Sequence, residues 1–200
     1  MIDFEAILNQ PFRWPKAGDK LFTTSQRRDS NAFIDLLGHN RLVMMMTGYK
    51  RGADLMVQRA SENRSDRDAL IFPIIFNYPQ YIELSLKYLV STYGRMVGVD
   101  AIWNTHSLTP LWESFVEVLD GYDIREPQGV DAVVGEIVAE FAKVDPNSFS
   151  YRYPVDKKGC PITLAHDEID LVALAAVMKA VEGYFCGCDG YIGNIQNTGP

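Results

Sequence analysis

The stretch Tyr78–Gly94, YPQYIELSLKYLVSTYG, constrains the fold of this chain more than any other. Apolar residues recur at Tyr78, Ile82, Leu86 and Leu89, and Ile71, Ile74 and Ile75 extend the same stripe backwards. That spacing is the one-face pattern of a buried amphipathic helix. Within it Glu83 and Lys87 stand one turn apart, acid before base, the favourable order for pairing along a helix axis. Their own row, Phe72, Phe76, Glu83, Lys87 and Val90, is mostly apolar. Charges are rarely buried unless paired. Two readings stand: a half-exposed salt bridge between two packing faces, or a pair that braces a neighbouring loop or ligand.

Helical periodicity runs through most of the remaining chain. Residues 31–60 give a broken stripe that includes Phe33, Leu37, Leu42, Met45, Tyr49 and Met56, with Ser30 as the expected cap. The triplet Met44–Met46 reads as gap-filling core, the usual use of a flexible side chain. After the polar connector SENRSDRD, a second helix is expected from about Asp66 to Tyr93. Pro79 lacks a donor and clashes with the preceding turn, so a kink or break is expected there. Further helices are expected from Ser107 or Thr109 to about Leu119, over Val130–Val144, and from about Asp167 to Tyr184. The expected architecture is all-α: a single helical bundle over 30–185 with an irregular segment near 145–165. Residues 1–29 read as a wrapping arm, with Phe12 and Trp14 between Pro11 and Pro15. The glycine-rich end, 186–200, reads as a flexible tail.

Charge narrows the function. At net −7, and with the basic stretch Lys50–Arg67 almost cancelled by Asp54, Glu62, Asp66 and Asp68, a general nucleic-acid coat is not expected. No uninterrupted apolar run reaches the roughly 18 residues of a membrane span. The start, MIDFEAILNQ, is acidic and unlike a secretory signal, and three cysteines suggest no disulfide framework. These features favour the cytoplasm. There is no phosphate-binding glycine loop, no HExxH and no GxSxG. Cys186 and Cys188 form one CxC pair, short of the four ligands that structural zinc prefers, so neither metal nor cofactor is expected.

Three segments in order, IELSLKYLV, THSLTPLW and YRYPVD, resemble the HEPN superfamily over roughly residues 70–180. This is a helical domain shared by higher eukaryotes and prokaryotes and named for nucleotide binding. The resemblance assigns Glu83 and Lys87 to the family's Glu-x-x-x-Lys helix. It assigns His106 to the histidine at a helix start, with Ser107 where an Asp is usual. It assigns Arg152, Tyr153, Pro154 and, more loosely, Asp156 to the late segment. Ribonuclease members carry an Arg four to six residues before a His. Here ten residues separate Arg28 from His39 and Arg95 from His106, and thirteen separate Arg152 from His166. The resemblance therefore implies a binding or interaction protein rather than the usual ribonuclease. Lys87, His106, Arg152 and Tyr153 would line a nucleotide or anion site. Glu83, Lys87, Arg152 and Asp156 would form a structural network. It also implies a homodimer, a nucleotide or protein partner, and a bacterial or phage toxin–antitoxin or defence setting. The alternative is a divergent metal-independent endoribonuclease using His106 and Arg152. Each residue has a plainer role too. His106 can hold a backbone carbonyl or a nearby acid, and Arg152 can be a buried partner for Glu83.

Overall fold

A computed structural model describes residues 15–34, 37–144 and 150–198. It comprises two compact units, Met1–Asp35 and Leu36–Pro200. In the first, every described residue is exposed. Its chain is shaped by local hydrogen bonds. Lys16 N–H donates to Asp19 Oδ2, and the Asn31 side chain clasps Ser25 at both backbone groups. A single 3-10 turn spans Arg28–Ser30. The expected face of Phe4, Ile7 and Leu8, with Phe12 and Trp14, lies outside the described residues.

The second unit is an all-α bundle of five helices, with no strand among the described residues beyond an isolated bridge between Val155 and Pro161. The helices are α1 (Gly38–Glu62), α2 (Arg64–Tyr93), α3 (Leu108–Gly121), α4 (Val130–Val144) and α5 (Leu171–Thr198). Helix α2 packs against α1, α3 and α5, while α4 lies on α3. The stripe Tyr78, Ile82, Leu86 and Leu89 is essentially inaccessible. All residues from Tyr81 to Lys87 are buried, so this part of α2 is covered on every side.

Several local expectations give way to tertiary packing. Helix α1 starts at Gly38 (φ +53), not at 31, because Asn31 is extended and its side chain is committed to Ser25. Met44 and Met45 are exposed rather than core. Helix α2 continues through Pro73, as expected, and through Pro79, which removes the break expected there. An interior proline costs about 3 kcal/mol, and burial of Ile74, Ile75, Tyr78 and Ile82 around it is of that order or larger. Ser107 holds the N-cap position of α3 but its side chain makes no capping bond. The expected turn over 145–149 lies outside the described residues. From 150 to 170 the chain is non-helical, as expected for the irregular segment.

The largest difference is at the end. Instead of stopping near Tyr184, α5 runs to Thr198. Asp170 starts it by accepting from the Val172 and Ala173 N–H groups. At one position, Gly193, glycine serves close approach. A Cβ on Gly193 would sit 3.2 Å from the Tyr93 hydroxyl oxygen. That hydroxyl donates to Asp189 Oδ1 at 2.6 Å, and Gln196 donates to the Tyr122 hydroxyl. One 18-residue window of α5, 22% buried, has mean hydropathy 1.5, long and apolar enough for a membrane span by length and composition. Its Met178, Val181, Phe185 and Ile192 are buried in the bundle. Ile192→Ala should therefore lower the unfolding free energy in urea by about 2–4 kcal/mol. A loss below about 0.5 kcal/mol, typical of surface sites, would mean a loose tail after all.

Candidate functional site

Glu83 and Lys87 leave α2 on one face, a single turn apart. Lys87 Nζ donates to Glu83 Oε1 at 2.8 Å, and both side chains are buried. The pair is thus not a half-exposed surface bridge. The same Oε1 lies 3.0 Å from His106 Nδ1. An ionised carboxylate only accepts, so Nδ1 carries the hydrogen. His106 arrives on the loop before α3, within the turn in which Ser107 N–H donates to Thr105 Oγ1. Its side chain is 79% exposed. The imidazole is held from behind by a buried acid, and Nε2 has no hydrogen-bond partner among the described residues. In the neutral ring this nitrogen is a lone-pair acceptor; in the protonated ring it is a donor.

Arg152 does not join this group. It is exposed, with its guanidinium 5.4 Å from the Phe76 ring centroid and 5.9 Å from that of Tyr153. Phe76 lies on the same face of α2 as Glu83, two turns earlier, roughly 10 Å along the axis. The irregular segment therefore meets the central helix through a cation–π contact, and the partners of Glu83 are the buried Lys87 and the exposed His106. Asp156 serves its own loop. Its Oδ1 accepts from the Lys158 and Cys160 N–H groups, with Gly159 at φ +81 completing the turn. Tyr153 is half exposed.

A second polar cluster was not anticipated. Lys50, on α1, is buried, its ammonium 2.7 Å from Asp54 Oδ2 and 3.2 Å from Glu182 Oε2 of α5. The Tyr78 hydroxyl of α2 donates to Asp54 Oδ1 at 2.9 Å. The i,i+4 spacing of Lys50 and Asp54 was the available signal, next to the core residues Ala53 and Val57. No sequence pattern joins them to Glu182.

Among the described residues no three His, Cys, Asp or Glu side chains are grouped to hold an ion. Positions two apart on a helix point to opposite sides, so Cys186 and Cys188 diverge. Burial raises both thiols, that of Cys188 to about 11, which disfavours the thiolates a metal would need. No family model, curated protein or solved structure matches this chain.

Glu83→Ala leaves a buried ammonium unpaired and should cost about 3–5 kcal/mol in chemical denaturation. The double change Glu83→Leu with Lys87→Met should recover most of it, and His106→Ala should cost less than about 1 kcal/mol. Equal losses from Glu83→Ala and the double change would remove the pair as the cause.

The phenols give a pH dependence. Burial first, then hydrogen bonds to Asp54, Asp189 and Asp131, raises the hydroxyls of Tyr78, Tyr93 and Tyr184 well above the ordinary phenol range. The folded chain therefore keeps these protons where the unfolded chain loses them. Their stabilisation is complete below the ordinary value near 10 and declines as pH rises from there toward the folded values. Urea midpoints should fall between about pH 9.5 and 11, and less steeply in Tyr78→Phe. A flat profile would contradict this.

Proposed function

We propose that this chain is a HEPN-like helical binding module that takes a nucleotide or another anionic ligand at His106. The supporting observation is the exposed imidazole fixed on the buried Glu83–Lys87 pair. Lys87 is committed to Glu83 and buried, so its part is indirect: it holds Glu83 in place. The ligand-facing group is Nε2. With Nδ1–H donated to Glu83, Nε2 meets an anion as a donor only in the protonated ring. Arg152 and Tyr153, about two turns along α2, would meet a different part of an extended ligand through charge and ring face. By family likeness the protein would act as a homodimer in the cytoplasm, in a toxin–antitoxin or phage-defence setting, alone or with a protein partner. The exposed apolar side chains of the N-terminal unit, Leu21, Phe22, Phe33 and Ile34, would supply contact surface.

The alternative, a metal-independent endoribonuclease, draws on the same Glu–His arrangement. A buried carboxylate behind Nδ1 leaves Nε2 as a general base. Arg152 would be the phosphate cation.

Calorimetric titration with ATP, GTP and their monophosphates at pH 6 tests the first reading. Binding should be lost in His106→Ala. Absence of heat and an unchanged melting temperature with every nucleotide would reject it. Incubation with tRNA and total RNA tests the second. Cleavage should disappear in His106→Ala and fall sharply in Arg152→Ala; cleavage that survives both would discard the assignment.

A further inference from the structure

The first half of α1 packs Met46 and Tyr49 against the core and leaves the rest of its apolar side chains partly or largely exposed. From Gly38 to Tyr49 it carries Leu42, Val43, Met44, Met45, Met46 and Tyr49, yet the first buried residue of the helix is Lys50. A line of positions on α1, Arg41, Met44, Gly48, Arg51 and Leu55, repeats every three and four residues and is exposed along its whole length, with the extended N-cap residue Leu37 exposed just before it. Leu37 is 77%, Met44 58% and Leu55 56% exposed. Alternating steps of three and four describe one helix contact line, as in a coiled-coil seam. At Gly48 a Cβ would meet nothing, so the seam is open where a second helix axis would come closest.

The charge pattern says what fits there. No Asp or Glu occurs between Leu37 and Ala53, while Arg41 and Arg51 lie in the seam, Arg41 next to Met44 and Arg51 between Gly48 and Leu55. A second copy of the same seam laid across it would bring arginine toward arginine, which is unfavourable. Nucleic acid would use the arginines but offers little to match Leu37, Met44 and Leu55. An amphipathic helix with apolar anchors and acids at the arginine positions satisfies both. Methionine side chains, flexible and polarizable, suit such a helix-binding surface.

We propose that the Arg41–Leu55 face of α1, with Leu37 at its N-terminal end, is the docking surface for an acidic amphipathic helix from a partner protein, about 14 residues or 21 Å long over the helical part. This surface stands independently of the His106 reading.

The test uses the full chain and two synthetic 21-residue peptides. One has leucine at the seam positions and glutamate on the flanks; the other replaces every glutamate by lysine. In fluorescence anisotropy at low salt, the glutamate peptide should bind at least tenfold more tightly, and added salt should erode the difference. Met44→Asp, an exposed change that leaves the core intact, should weaken it at least tenfold. Arg41→Glu with Arg51→Glu should transfer preference to the lysine peptide. Equal binding of both peptides, binding by neither, or indifference to Met44→Asp would overturn the proposal. So would a dimer in sedimentation that Met44→Asp dissociates, which would make a second copy the occupant. Displacement of the glutamate peptide by a 20-nucleotide single strand would assign the seam to nucleic acid and overturn it equally.

Discussion

Everything in the bundle depends on the enclosure of α2 between Tyr81 and Lys87. A helix covered on all sides has no exposed face on which to leave a charge. Glu83 and Lys87 therefore have to satisfy each other, and their 2.8 Å contact follows from the covering. The remaining accepting capacity of Glu83 is then directed to the one side where a loop arrives, and His106 takes it. A buried pair of this kind adds little net stability over an apolar replacement. It does fix where the loop before α3 must sit, because any other placement leaves the carboxylate under-satisfied.

The Lys50 cluster applies the same logic to the other side of α2. One ammonium with two carboxylates and a phenol ties α1, α2 and α5 together. Between these two clusters the contacts of the central helix are almost wholly apolar, which gives strength without direction. The polar groups set the registers of the helices around it.

The helical class, the order of the helices and the core stripe of α2 could be read directly from spacing, since 3.6-residue periodicity reports burial on one face. The α4 limits, Val130 and Val144, came from the same rule. Proline and glycine misled it. Pro79 and the glycines after Tyr184 argue locally for a break, and their cost is outweighed by contacts from residues far away in sequence: Ile74 and Tyr78 in one case, Phe185 and Ile192 in the other. The methionine triplet misled in the opposite sense, because apolar character alone does not say whether a neighbour is present to cover it. At the candidate site, Glu83–Lys87 was visible as a spacing and His106 as a helix-start residue. The position of Arg152 on Phe76 was not, since nothing local links an irregular loop to a ring on α2.

The docking of α5 also bears on how the chain is made. Phe185, Ile192 and the Tyr93–Asp189 hydrogen bond complete the covering of α2 with residues about a hundred positions downstream. During synthesis the central helix must wait, with apolar surface bare, until the last of those residues has cleared the ribosome. Such an intermediate is a natural client for chaperones and for proteases. A message cut short before the final helix would yield a polypeptide that the cell removes rather than a weakened protein.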